Sequence, residues 1–545
     1  MLFLILVLLF VIWLLCNHIV QLKHSAEKDY YEHSWKISQL QAEKTTLADA
    51  KEQTDTQIAE LTKALQSLKA ELDETNRKLD FYKNIEEDSG NLNSSDNKPL
   101  PAAQAEEVTN QINLLDSEQA YACSEMENSN ANFFITGKAG TGKSFLLDTF
   151  KNTTEKSHIV LAPTGIAALN VSGATLHSTF GYYNLVHLPI DQINEDTIRL
   201  KSEKKLLLQD ISTLIIDEIS MVRADTFEKI DRILKALNHS TAPFGGKQIL
   251  LFGDLFQLPP VVKAEEHKYL YDTFGGIYFF CSNAFKAGNF RFLELSINHR
   301  QKDDAVFFSL LNRIRDGSVS DADMDILNKR ATGDPSVYDR FTTLLPTKAE
   351  VERLNQHHLN QLDSPSFSYH AKIILDKYPD KTHHLESIFP ILKTLQLKKG
   401  ALVMMVANDS DHRWVNGTLG IINKLTHNSI FVSIDKRTYE VHPLSFTEQE
   451  IHYENRKISY EDVLEVSQFP LVPAYAMTIH KSQGQTYKNI VCDIERCFAN
   501  GQAYVALSRC ASLDGLHLKA PVNRASIHVD HTVLEFYQTH ISQVI

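Results

Sequence analysis

The segment Gly137-Lys138-Ala139-Gly140-Thr141-Gly142-Lys143-Ser144 constrains this chain more than any other, because it follows directly on the apolar run Phe133–Thr136 and leads into an apolar helix start. A strand, a glycine-rich turn and a helix in that order form a phosphate-binding P-loop. Glycines let successive backbone N–H groups turn inward onto phosphate oxygens, and the helix N-terminus adds partial positive charge. Lys143 is placed to reach the β and γ phosphates and Ser144 to ligate magnesium. The pattern predicts an α/β fold, with ATP and Mg2+ as cofactors and a nucleotide-binding stretch running from Gly137 to Ser144.

Further short apolar runs, such as those around His158–Ala162, Leu214–Ile216 and Gln248–Phe252, alternate with helical stretches in the manner of buried parallel strands. The second ends in Asp217-Glu218. Alone, such a pair is a solvated turn; downstream of a P-loop it predicts Asp217 in the metal shell and Glu218 as the general base for the attacking water. The third ends in Gly253-Asp254-Leu255-Phe256-Gln257. A neutral amide there can hydrogen-bond a γ-phosphate and lose that bond after hydrolysis, so Gln257 is expected to sense the nucleotide.

The remainder of the chain carries other signals. Its 545 residues exceed one core, since single cores stop growing at about 250 to 300 residues. Residues 1–22 hold no charged side chain and are nearly all apolar, long enough for one membrane crossing. They lack a basic leading segment and a small-x-small cleavage site, which favours an uncleaved anchor over a cleaved signal peptide. Lys23 and Lys28 follow the stretch, so the positive-inside rule places the N-terminus outside and the rest in the cytoplasm. Residues 37–82 keep a heptad register, with Ile37, Lys44, Lys51, Ile58, Leu65, Leu72 and Leu79 at a positions and Leu40, Leu47, Thr54, Leu61, Leu68, Thr75 and Tyr82 at d, the two lysines weakening the first half. This predicts a coiled coil over residues 25–87 that would join two copies as a homodimer, a single charged helix being the other reading. Residues 88–108 read as a flexible linker. A net charge of −13 excludes a chain that coats nucleic acid indiscriminately, so any DNA contact must be a local groove. Cys492, Cys497 and Cys510 lack paired spacing and read as buried free thiols.

Motifs flank the P-loop in a fixed order. Leu115-Asp116-Ser117-Glu118-Gln119 precedes it; Ala162-Pro163-Thr164, Thr175-Leu176-His177-Ser178-Thr179-Phe180, Asn298-His299-Arg300, Thr478-Ile479-His480-Lys481-Ser482-Gln483-Gly484 and Ala503-Tyr504 to Arg509 follow. From about residue 113 onward the chain resembles the superfamily 1B helicases of the petite-integration-frequency (Pif) type, relatives of the RecD helicase. The resemblance implies that Gln119 reads adenine and that Arg300 and Arg509 are arginine fingers from the second motor domain. It further implies that Pro163, Thr164, Thr175, His177, Phe180, Thr478, His480, Lys481 and Ser482 contact DNA, and that polarity is 5′-to-3′. His299 stands where relatives often carry an aromatic that packs on the base. Strands around Leu402–Val406 and Ile430–Ile434, with an Asn416-Gly417 turn, read as a small barrel at about 400–470, where the family has a Src-homology-3-like 2B domain.

The expected architecture is therefore two RecA-like P-loop motor domains, 109–290 (with a small 1B insertion) and 291–545, the second carrying the β-barrel insertion, all preceded by a transmembrane helix and a coiled coil. The expected function is an ATP-dependent helicase on single-stranded and tailed duplex DNA, tethered to a membrane. A translocase that remodels without unwinding, and a coiled-coil scaffold with a vestigial ATPase, are the alternatives.

Overall fold

The structure, a computed structural model, describes residues 114–541 apart from 301–303, 332–336, 338–339, 378–384 and 455–456. The apolar stretch 1–22, the heptads and the linker lie outside the described residues, and no helix among the described residues is long and apolar enough to cross a membrane.

Six short strands form the first sheet: β1 (Phe133–Gly137), β2 (His158–Ala162), β3 (Ala174–Thr175), β4 (Thr213–Ile216), β5 (Gln248–Phe252) and β6 (Arg291–Leu295). All pair in parallel in the order β3-β2-β4-β5-β1-β6. Side chains alternate between two cores, as the two-residue period of a strand requires. Phe134, Leu214, Ile216, Ile249 and Leu251 pack with Phe227 and Phe279 on one face. Phe133, Ile135, Ile215, Leu250 and Phe252 pack with Leu146, Leu147 and Phe150 of the P-loop helix on the other. Burial on both faces explains why these strands read as continuous apolar runs. Strand β6 is an edge strand with an exposed Arg291, and it lies beyond the boundary at 290 expected from the sequence. The first sheet thus closes at Leu295.

Strand β7 (Thr343–Leu345) opens a second parallel sheet and is followed by an antiparallel insertion. The insertion contains β8 (Ser366–His370), β9 (Lys372–Asp376), β10 (Thr394–Lys398), β11 (Leu402–Met405), β12 (Leu419–Leu425), β13 (Ile430–Ile434), β14 (Arg437–Val441), β15 (Leu444–Glu454), β16 (Lys457–Gln468) and β17 (Leu471–Pro473). The chain then returns through β18 (Ala476–Thr478), β19 (Ile490–Cys492) and β20 (Leu516–Leu518) to complete the order β18-β7-β19-β20. Within the insertion, β14-β13-β12-β11-β17 make one sheet, β15-β16-β9 a second and β10-β8 a third. Asn416-Gly417 does not join two strands directly. Its turn, with Gly417 at φ +90° and Thr418 N donating to Val415 O at 3.1 Å, ends the long connection from β11 into β12. The two-residue hairpin falls at Asp435-Lys436, both left-handed at φ +46° and +69°, the backbone twist that suits such a turn. The long hairpin β15–β16 reaches back to the first half, where Glu450 meets Lys204 at 3.2 Å and Tyr453 donates to Asp210.

Phe134 is fully buried and edge-packed on Phe279 with centroids 5.6 Å apart. Phe134→Ala should lower unfolding stability by about 3 to 5 kcal/mol, read from the denaturation midpoint. A loss below about 1 kcal/mol would show that the site collapses without a cavity.

Candidate nucleotide site and nucleic-acid groove

The P-loop is gripped from several directions. Gly142 caps the helix Lys143–Thr153 at φ +78°, and a Cβ there would lie 2.2 Å from Gln119 Nε2, so both backbone and space demand glycine. Gln119 itself is buried and shares a capping box with Asp116: its N–H donates to Asp116 Oδ1 at 2.8 Å and its Oε1 accepts from Asp116 N at 3.2 Å. The segment after β6 wraps the loop, with His299 N donating to Gly140 O at 2.8 Å and Asn298 Nδ2 to Ala139 O at 3.0 Å. The His299 ring meets Asp116 Oδ2 at 2.8 Å. From the second half, Tyr504 Oη accepts from Ala139 N at 2.9 Å. Lys143 Nζ donates to the carbonyls of Gly137 and Lys138 at 2.7 and 3.1 Å, and Ser144 lies exposed in the first helical turn.

Three carboxylates converge near Lys143. Burial raises the proton affinity of Asp217 and of Glu218, the latter also through its neighbour Asp217, while the Lys143 cation opposes both shifts. Glu218 is left-handed (φ +49°), which turns its side chain out of the strand direction at the end of β4. Asp254, fully buried, accepts from Arg315 Nε and Nη2 through Oδ1 at 3.1 and 2.9 Å, whereas its Oδ2 has no partner among the described residues. Gln257 is buried beside it, and Gly501 (φ +71°) approaches so closely that a Cβ would lie 2.4 Å from Gln257 O.

Arg300 and Arg509 lie together at the seam between the halves. Arg300 lies in the segment that leaves β6 of the first sheet and wraps the P-loop, not on the second half as expected, and donates through Nη1 to Ser508 O at 3.1 Å; Arg509 of the second half, 2% exposed, donates to Val505 O and Ser508 Oγ, each at 2.9 Å. Burial, with Arg509 nearby, pulls the Arg300 guanidinium down to about 9. Both are satisfied only by neutral acceptors among the described residues. Glu218 and Asp254 lie near enough to favour the charged form of Arg509, yet neither arginine has a hydrogen-bonded carboxylate among the described residues, an arrangement that suits an anionic ligand. No group of three or more His, Cys, Asp or Glu among the described residues could hold a metal. A magnesium ion fits Ser144 and Asp217 only with phosphate oxygens and water completing its shell, and the unpartnered Asp254 Oδ2 adds a further acceptor nearby.

On the opposite side of Glu218, Thr164, Asn170, Lys348, His480 and Lys481 line a cavity of about 700 Å3. Thr478 and Gln485 continue it into a groove of about 820 Å3 against the insertion. Pro163 and His177 line a third cavity of about 520 Å3. Thr164 and Thr175 act as helix N-caps, accepting from Ala167 N at 3.3 Å and Ser178 N at 3.1 Å. Two expected DNA contacts are corrected. Phe180 is fully buried in the apolar core and presents no surface, and Ser482 is buried with Oγ donating to Ile479 O at 2.7 Å, so both support the groove from behind. Lys348 and Asn170 are additions. A sequence signal for Lys348 exists, because Leu345-Pro346-Thr347-Lys348 repeats the strand, Pro and Thr N-cap of Ala162-Pro163-Thr164-Gly165, and Thr347 accepts from Glu350 N at 3.4 Å.

A family model described as PIF1-like helicase matches residues 114–325. The chain is 35% identical over 432 residues to the ATP-dependent DNA helicase Pif1 of Bdellovibrio bacteriovorus, spanning 78% of this chain and 92% of that protein. Bacteroides sp Pif1 in complex with ADP-AlF4 is similar at TM-score 0.71 and 37% identity, over 79% of this chain and 98% of that one. Bacteroides Pif1 bound to ssDNA is similar at TM-score 0.56 and 36% identity, with the same coverage. Paired parallel sheets with a P-loop at their seam and a groove alongside define a nucleotide-driven nucleic-acid motor. The chain belongs to the PIF1-like helicase family and is an enzyme, an ATP-dependent DNA helicase.

Arg315→Met should destabilise the protein by about 3 to 5 kcal/mol, because it strands the Asp254 carboxylate in the interior. The double variant with Asp254→Asn should recover much of that loss in chemical denaturation; an unchanged double variant would remove the ion pair as the cause.

Proposed function

We propose that the chain moves 5′-to-3′ along single-stranded DNA and unwinds tailed duplexes, closing the cleft between its two halves around ATP in each cycle. The observation that carries this reading is the pair Arg300, half-buried, and Arg509, buried, side by side at that cleft and hydrogen-bonded only to neutral acceptors among the described residues. An arginine that meets a γ-phosphate only when the cleft closes ties hydrolysis to domain motion. The polarity is that of the family. Gly137 to Gly142 and Lys143 cradle the phosphates, Glu218 is the general base and Gln257 senses the γ-phosphate. Ser144 and Asp217 hold magnesium, which when bound neutralises charge on the phosphates. Gln119, beside His299, reads adenine. Thr164, Thr175, His177, Thr478, His480 and Lys481, with Asn170 and Lys348, follow the DNA backbone in a sequence-independent way. Bacteroides Pif1 bound to ssDNA supports DNA as the track, and we read the five-stranded sheet of the insertion as the Src-homology-3-like 2B domain.

A tether is part of the same reading. Residues 1–22 carry no charged side chain, and Lys23 and Lys28 follow, which suits a single-pass anchor with the motor on the cytoplasmic side and the heptads of 37–82 pairing two copies. Deleting residues 1–22 should release the enzyme from membranes without loss of ATPase activity, and protease added to sealed cells should leave the motor intact; digestion from outside would refute the orientation.

Lys143→Ala should abolish ATP hydrolysis, whereas Glu218→Gln should still bind nucleotide but turn over about a hundredfold or more slower. Near-normal turnover in Glu218→Gln would exclude it as the base. Arg300→Ala and Arg509→Ala should each keep single-stranded DNA affinity while losing DNA-stimulated hydrolysis; full stimulation in both would sink the cleft mechanism. Strand displacement on 5′-tailed, 3′-tailed and blunt duplexes tests polarity, with unwinding expected on the 5′-tailed substrate alone.

A further inference from the structure

Gln483 follows the tight turn His480–Ser482 of the second half, yet its side chain crosses to the first. Its Nε2 donates to Glu218 Oε2 at 2.8 Å and to Gln257 Oε1 at 3.1 Å. The same side chain lines the cavity that also holds Thr164, Lys348, His480 and Lys481. One amide therefore touches the hydrolytic carboxylate, the γ-phosphate sensor and the wall of the nucleic-acid groove.

We propose that Gln483 is a DNA-operated latch: with the groove empty its amide ties Glu218 to Gln257, and a strand in the groove draws it away and frees Glu218 to accept a proton from water. This rests on the reading of Glu218 as base and of the groove as the DNA track. The donated N–H occupies a lone pair of Glu218 Oε2 that a water proton would need, so an engaged Glu218 is less able to take that proton than a free one. Gln257, accepting from the same amide, is held from its own partner at the same time. The backbone next to the latch has room to move. Gly484 is left-handed at φ +81°, and the nearest atom to a Cβ there would be Asn170 Nδ2 at 3.8 Å. His480 is exposed and Lys481 lines the groove, so a phosphate gripped by them pulls on the turn that carries Gln483. DNA stimulation would then arise from release of a restraint, and not only from cleft closure.

The test compares ATP turnover at saturating ATP, with and without oligo-dT, in the full chain and in Gln483→Met, Gln483→Glu and Glu218→Gln. Gln483→Met keeps the length and removes the donor; Gln483→Glu, once ionised, cannot donate and repels Glu218, and serves, read from about pH 7 to 9, if the Met variant folds poorly. Both should raise DNA-free turnover by about tenfold or more while oligo-dT affinity stays within about threefold, so that the stimulation ratio shrinks. DNA-free turnover at or below that of the wild type in both variants overturns the latch. A wild-type enzyme that oligo-dT does not stimulate, or a Glu218→Gln variant that still turns over, removes the underlying functional reading and the latch with it.

Discussion

The buried ion pair between Asp254 and Arg315 fixes the surroundings of the nucleotide site. Arg315 comes from the helix Ala305–Asp316 and Asp254 from the loop after β5, and neither charge reaches solvent. Such a pair is weak evidence for net stability, since desolvation offsets the attraction, but it defines geometry: any other placement of the loop would leave two bare charges in the interior. The Arg315 guanidinium also lies over the Phe256 ring at 4.2 Å, which pins the residue preceding Gln257. The position of Gln257 is thereby set by a helix outside the first sheet. Asp254 Oδ2 has no partner among the described residues, and the carboxylate favours the Lys143 cation while Arg315 opposes it.

The same economy of charge governs the arginines. A guanidinium removed from water needs either a carboxylate or an anionic ligand. Asp254 gives Arg315 the first; Arg300 and Arg509 have only carbonyl and hydroxyl oxygens among the described residues. Arg315 thus serves architecture, while Arg300 and Arg509 are left without a hydrogen-bonded carboxylate among the described residues. All three are arginines, and only their partners tell them apart.

That distinction marks what the sequence could reveal. The P-loop, the strand ends at Asp217 and Gln257, and the parallel sheet were legible because each depends on residues adjacent in the chain: an apolar run followed by glycine or acid. Strand β6 was not, because an edge strand alternates and its Arg291 and Glu294 hide the apolar positions. Phe180 and Ser482 sit inside DNA-contact motifs, yet a segment that caps a helix or closes a tight turn must send some side chains inward, and motif membership does not say which. The Asn416-Gly417 signal identified a turn correctly but not its partner strands, which long-range pairing decides. Asp254–Arg315 and Gln483–Glu218 join residues far apart in the chain, and nothing local announces them.

The contacts between the two halves differ in what it costs to exchange them. Phe536 of the C-terminal helix His531–His540 stacks on Phe280 of the first half at 4.2 Å and leans on Phe285 and Phe292, while Tyr537 beside it packs on Phe256 at 5.1 Å and donates to Glu294. Burying an aromatic side chain of this kind contributes roughly 1.5 to 3 kcal/mol, and nothing in the cycle offers a substitute. Near the nucleotide and the groove, the links are hydrogen bonds: Ala139 to Tyr504, Arg300 to Ser508, Gln483 to Glu218, and the Lys204–Glu450 pair. Each contributes roughly 0.5 to 1.5 kcal/mol net, and each can be exchanged for water, phosphate or a DNA oxygen. Inverting a 1:99 equilibrium requires about 5.5 kcal/mol of differential binding, which corresponds to a handful of such exchanges. The halves are thus held by an aromatic cluster, costly to expose, and by polar links that water, phosphate or a DNA oxygen can replace at little cost.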